Sequence, residues 1–386
     1  MKNHLVTIVI LIFAVVSCKN NNSAEKTVEF TFSKLQVVDS SKFSSLIDHI
    51  SIIPLDTANK IFISNRSMME LFSGNYFILQ EGTIYEYNET GKLVHKIPVS
   101  GRGPNEVIEA TDFLIDTEGN LEILSIMAQN ITKYDNSGNF IEKIPTPVRS
   151  YSFSKTRDGG YWLSKGAIYF DENPVGLAQV YKIDNNGNII AKCLSRNAID
   201  FTGPIIEKNF SSTENSIFYK NMLDGRIYRL LDTTAVISYS FDFGEYQISE
   251  DVLRLDREKI LGEMMKSEII SIYTFHVNEN YLYACLIKES SEKIFYHFIY
   301  DIKHKNYLLF SFRSDSPEAI YFHTPKTLTA DNDLVFIVEP EYFNEISEEK
   351  RQSFSSKLKS ISSSINGNAY ILKLKIDDSL FKKLKF

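Results

Sequence analysis

The chain has 386 residues, 49 acidic against 42 basic side chains for a net charge of −7, and 27 Phe and 21 Tyr. That balance leaves no basic stripe to neutralise phosphates, which argues against a nucleic-acid partner. The Phe, Tyr and Ile content suits strands better than helices, and the length allows two or three domains or one large all-β body.

The chain opens with a short polar start through Lys2 and His4, followed by the apolar run Leu5 to Val16. This run falls short of the about 20 apolar residues that span a bilayer, but it suits the core of a signal peptide. It ends in Val15-Val16-Ser17-Cys18, which resembles the lipobox of bacterial lipoproteins. The alternative is an ordinary signal peptide or N-terminal anchor with a chance cysteine. The expectation is a signal peptide over 1–17, lipid attachment at Cys18 and a flexible tether over 18–42. The folded body then runs over 43–386. Later apolar runs such as Tyr281 to Ile287 are short and bounded by polar residues, so the lipid is the expected anchor.

Internal periodicity decides the fold. Tyr85 to Val94, Thr132 to Ile141 and Tyr181 to Ile190 align without a gap, each a strand, an Asn or Asp turn and a second strand. The turn glycines Gly91, Gly138 and Gly187 lie 47 and 49 residues apart. An Asx side chain bonds its own backbone and Gly supplies positive φ, which is hairpin chemistry. A second hairpin series turns at Gly74, Gly119, Gly159, Asn215, Glu279 and Asn332, making six members. Arg226 to Phe243 and Phe295 to Phe312 continue the first series. Asn368 to Ile376 remains as a last strand without a partner, which His49 to Leu55 can supply.

Four strands per unit of about 45 residues is the mark of a propeller blade. The predicted fold is therefore an all-β six-bladed β-propeller with the N-terminal strand closing the last blade. Two helical insertions are expected, near 249–268 and 344–362. Lys382, Lys383 and Lys385 read as a solvated tail, and Cys193 and Cys285 as free buried thiols, with pairing in an oxidising compartment as the alternative.

Lys96 to Glu106 contains Gly101-Arg102-Gly103-Pro104-Asn105-Glu106, and Asp112-Phe113 follows. Together with Ile53-Pro54-Leu55-Asp56, these residues resemble the six-bladed β-propeller lipoproteins of the Bacteroides group, distant relatives of NHL-type propellers. The resemblance covers nearly the whole mature chain. It implies the fold and an envelope location, and it brings no agreed activity or catalytic residues. Surface-displayed lipoproteins of that group tend to carry acidic residues just after the cysteine. Here Lys19 and three asparagines follow, so the expected location is the outer membrane, facing the periplasm, with the cell surface as the alternative.

The Gly101, Arg102, Gly103, Pro104 and Glu106 loop is the candidate ligand contact. A guanidinium binds carboxylate or phosphate bidentately and glycines let a ligand approach closely, with Glu106 expected to orient Arg102. The competing reading is a tight blade connection in which Arg102 pairs with Glu106 or caps strand ends. His49, His95, His276, His297, His304 and His323 show no metal-ligand spacing within one element. Asp158-Gly159-Gly160 to Trp162 is explained by a hairpin turn and packing between blades, and the offsets of a sialidase Asp-box are not met. No catalytic, metal or cofactor motif is present. Two functions follow: a binding or scaffolding propeller for a protein, peptide or glycan, or a metal-assisted hydrolase or lyase acting on a carbohydrate or lactone at the channel.

Overall fold

In the computed structural model the described residues are 26–38, 49–56, 61–165, 178–195, 208–221, 224–253, 259, 262–263, 268–289, 294–313, 324–339 and 368–383. Two strands come first, β1 (Val28–Thr31) and β2 (Ile50–Pro54). Blade one holds β3 (Met68–Phe72), β4 (Asn75–Gln80), β5 (Thr83–Tyr87) and β6 (Leu93–Pro98). Blade two holds β7 (Ala110–Ile115), β8 (Leu121–Ser125), β9 (Asn130–Tyr134) and β10 (Phe140–Pro145). Blade three holds β11 (Ser152–Lys155), β12 (Tyr161–Ser164), β13 (Ala178–Ile183) and β14 (Ile189–Ser195). Blade four holds β15 (Phe210–Ser212), β16 (Ile217–Lys220), β17 (Arg226–Leu230) and β18 (Ala235–Asp242). Blade five holds β19 (Ile269–Val277), β20 (Tyr281–Glu289), β21 (Ile294–Asp301) and β22 (Asn306–Arg313). Blade six holds β23 (Thr327–Leu328), β24 (Asp333–Val338) and β25 (Tyr370–Lys375), with β2 as its fourth strand.

The six sheets form the expected ring. Its innermost strands β3, β7, β11, β15, β19 and β23 adjoin one another in that order, and β2 pairs antiparallel with β25 to close the last blade. Alternation along each strand divides its side chains between two gaps. On β12, Tyr161 and Leu163 pack towards blade two while Trp162 packs towards blade four. Six apolar clusters accordingly fill the six gaps between neighbouring blades.

The hairpins form as their residues dictate. Asp135 Oδ1 accepts the Ser137 and Asn139 N–H groups at 2.9 and 2.8 Å, and Asp184 does the same for Asn186 and Asn188. Gly187 has φ +86, and any Cβ there would overlap the Pro145 carbonyl, so two requirements converge on glycine.

The tether expected over 18–42 needs correction. Residues 26–38 are built into the body: β1 adds in parallel to the outer edge of β18, making blade four five-stranded. Phe30 is buried with its ring 4.9 Å from Phe241 in blade four and 4.7 and 5.0 Å from Phe298 and Tyr300 in blade five. Phe32 lies against Tyr296 at 5.2 Å, and the Val38 N–H donates to the Leu309 carbonyl of β22 at 2.7 Å. The physical reason is an aromatic gap between blades four and five that these rings fill. The expected solvated tail is also partly folded. The helix α2 (Asp378–Lys383, following the short α1 at Glu250–Leu253) buries Leu380 and Phe381 against blades five and six. Of the expected insertions, 249–268 begins as the helix α1, and 344–362 lies outside the described residues. Residues 1–17 and Cys18 also lie outside them.

Because Phe30 is a core side chain, Phe30→Ala is expected to cost about 3–5 kcal/mol. Val94→Ala on an exposed outer strand should stay within about 0.5 kcal/mol. Urea unfolding of the two variants checks this, and equal costs would mean that the N-terminal segment is not packed.

Candidate functional site

The inner strand of each blade pairs on one side only, so its other edge needs acceptors from side chains. Asp112 on β7 supplies two. Its Oδ1 accepts the Phe113 N–H at 2.9 Å and its Oδ2 accepts the Phe153 N–H of β11 at 3.1 Å, fastening blade two to blade three. Ser211 Oγ accepts the Val277 N–H at 2.8 Å, fastening four to five. Away from the inner strands, Asn368 Oδ1 accepts the N–H of Ile63 in the connector ahead of β3 at 3.2 Å, fastening six to one. The Asp112-Phe113 pair flagged in the sequence is thus a clasp between blades.

Lys208, just ahead of β15, reaches across the channel from blade four. Its ammonium contacts the Glu70 carboxylate of β3, lies 3.6 Å from Asp112 Oδ1 and donates to the Phe113 carbonyl at 3.2 Å. Burial pushes the Asp112 carboxyl up to about 8, against the bonds from Phe153 and Phe113. Burial also draws Lys208 down to about 7, helped by the charge of Lys326. The Glu70 contact works in the opposite direction and favours the ammonium, and the three groups form a strut joining blades one, two and four. Glu70 and Asp112 thus both face the Lys208 ammonium.

A second ionic group lies between blades two and three. Lys155 Nζ is 2.5 Å from Glu122 Oε1 and 3.2 Å from Asp116 Oδ2, and Lys133 Nζ is 3.0 Å from Asp116. Burial raises the Glu122 carboxyl, while Asp116 is held well below the usual range by Asn120 and Lys133 despite its burial.

The histidines are dispersed. His276 on β19 bonds the Pro325 carbonyl at 3.0 Å, His297 bonds the Tyr283 hydroxyl at 2.8 Å inside blade five, and His95 pairs with Glu86 at 2.7 Å. His49 lies 3.7 Å from Asp377. His323 is outside the described residues. Asp301, His304 and Asp378 could converge on a cation, their ligand atoms lying within 4.8 Å. They border a cavity of about 350 Å³ at the outer edge of blade five, away from the channel. There Asp301 already bonds both the N–H and Nδ1 of His304 at 2.8 Å, the pattern of a turn. Neither Cys193 nor Cys285 is in a disulfide, and the two are buried in different blades.

The Gly101–Glu106 loop joins blades one and two as an ordered turn. The Gly101 N–H donates to the Val107 carbonyl at 3.1 Å, and the Tyr134 hydroxyl donates to the Asn105 carbonyl at 2.6 Å. Glu106 Oε2 accepts the Gly103 N–H at 2.6 Å, and a Cβ at Gly101 would overlap this carboxylate. Glu106 is therefore committed to the loop's backbone and does not orient Arg102, contrary to the expectation from sequence. Arg102 stands exposed, with no partner among the described residues. Lys208 escaped the sequence reading because a lone lysine in a connector carries no local signal.

The architecture defines the protein as a six-bladed β-propeller. Within that class, the chain belongs to the DUF4934 family, a domain of unknown function, whose family model matches residues 27–372. Its fold is similar to that of a Bacteroides fragilis protein described as exported, at 18% identity and a TM-score of 0.75, over 92% of this chain and 100% of that one. It is also similar to a member of the duf4221 family from Bacteroides vulgatus, at 11% identity and a TM-score of 0.53, over 84% and 95% of the two chains. At these identities the likeness concerns the fold alone. No curated protein matches the chain in sequence. No described helix is long and apolar enough to cross a membrane.

Burial lowers His276 to about 4 and His297 to about 3. Below their unfolded value near 6.5 the unfolded chain binds more protons than the folded one. Their stabilising contribution is thus full above about pH 6.5 and is lost as pH falls towards 4. For His297 the loss by pH 4 is on the order of 3 kcal/mol. Asp112, raised, acts in the opposite sense, so the check is a difference. The slope of urea-derived stability between pH 6.5 and 4 should be shallower in His297→Gln than in the wild type.

Proposed function

We propose that the protein is a non-enzymatic binding propeller of the bacterial envelope, lipid-anchored through Cys18. The Gly101–Glu106 loop presents Arg102 to a carboxylate or phosphate on a protein, peptide or glycan partner. The observation that carries this reading is the division of labour inside the loop. Glu106 is turned onto the Gly103 N–H, so the loop is held in one shape while the neighbouring guanidinium stays exposed. A preorganised loop loses little entropy on binding, and a planar guanidinium fork suits a bidentate anion.

The buried charges of the channel support a binding role, because Glu70, Asp112 and Lys208 satisfy one another across the ring. Export is supported by the apolar run ending at Cys18 and by the Bacteroides fragilis structural neighbour described as exported. The polar Lys19 to Asn22 stretch after the cysteine favours the periplasmic face of the outer membrane.

The test is capture from cross-linked cells with the anchored wild type and with Arg102→Glu. A charged hydrogen bond is worth about 1.5–3 kcal/mol, so the variant should retain a tenth or less of the partner captured by the wild type. Equal capture by both would remove Arg102 from the interface. Recovery of nothing above background across growth conditions would sink the binding role itself.

A further inference from the structure

The N-terminal segment fixes more than the edge of blade four. Lys26 lies at its start, Val28 to Thr31 run parallel to Tyr239 to Asp242, and Thr27 Oγ1 donates to the Ile237 carbonyl at 3.1 Å. The chain then crosses to blade five, where the Gln36 N–H donates to the Tyr307 hydroxyl at 3.1 Å and Val38 is buried beside Leu309. Phe30 and Phe32 wedge the gap between the two blades. The segment is a strap, and only seven residues separate its start at Lys26 from the cysteine.

From this we infer that the lipid anchor holds the ring by one edge, with blades four and five against the membrane and blades one and two on the far side. The inference rests on the lipid-anchor reading of Cys18. Its geometry comes from chain length and ring order. Lys26 is eight residues from Cys18, and eight residues span at most about 29 Å. A tether free as far as His49 would have thirty-one residues and reach more than about 100 Å. The strap therefore cuts the reach to roughly a quarter and fixes where on the ring the leash begins.

In a ring of six, blade one stands opposite blade four and blade two opposite blade five. The Gly101–Glu106 loop joins β6 to β7 and so lies diametrically opposite the strap. The partner that the anchored edge fits is a lipid surface. The loop that offers Arg102 is held away from it, where a soluble or wall-bound anionic partner can reach.

Two exposed residues at opposite ends of a ring diameter provide the test: Val236 on β18, ahead of its pairing with β1, and Val94 on β6. Each is replaced by Cys, labelled with a fluorophore in the full lipidated protein and read in vesicles that carry a headgroup quencher. The native Cys193 and Cys285 are buried and should escape labelling. The label at Val236→Cys is expected to be strongly quenched and that at Val94→Cys only weakly. A long Gly-Ser insertion between Ala24 and Glu25, which leaves the ring untouched, should lengthen the leash and erase the difference.

Palmitate incorporation, compared with Cys18→Ala, separates the two readings. Incorporation with equal quenching at both positions overturns the edge-on arrangement and leaves the anchor standing. Absence of incorporation overturns the anchor, and the arrangement with it.

Discussion

A ring of sheets depends on its last joint. Here that joint is the antiparallel pairing of Ile50 to Pro54 with Tyr370 to Leu374, two segments more than 300 residues apart. Joining such distant segments costs loop-closure entropy that grows slowly with length. What offsets it is that closure buries the first and last blades against each other in one apolar cluster running from Met69 and Tyr76 to Ile337 and Ile371. Asn368 secures the same place by bonding Ile63 on one side and the Asp56 carbonyl on the other. Without the joint, two sheet faces and two edges would be left in water.

The same constraint explains the polar residues around the channel. An inner strand has backbone groups on its free edge that no strand can pair, and leaving them unmet in a buried setting is costly. Asp112 and Ser211 each spend an oxygen on such a group of the next blade. Lys208 then reaches the Asp112 carboxyl and ties in Glu70. Through these bonds Asp112, Ser211 and Lys208 hold the blades together.

Legibility in the sequence followed how local each interaction is. The hairpins were readable because Asp135, Asp184 and their glycines settle their turns within five residues. The blade count and the closing strand followed by counting those hairpins. The strap was not readable. Val28 to Thr31 is a four-residue strand whose partners lie 211 residues further on, and Phe30 has no meaning until Phe241 and Phe298 are brought beside it. The helix α2 was masked by its lysines, because Leu380 and Phe381 show their purpose only against Tyr281 and blade six. The candidate loop was legible as a segment and misjudged in detail. Sequence spacing cannot say whether Glu106 turns towards Arg102 or towards the Gly103 N–H.

That detail bears on how such a loop works. A carboxylate bonded to Arg102 would compete with any anionic ligand for the same guanidinium. A carboxylate bonded to a backbone N–H instead gives the loop its shape and adds only a diffuse negative field. Glycine at 101 makes the second arrangement feasible, since any larger residue would push Glu106 out of the turn. The order Gly-Arg-Gly-Pro-Asn-Glu thus has a physical reading: two glycines admit the carboxylate, the carboxylate fixes the turn, and the arginine between them is left to project outward.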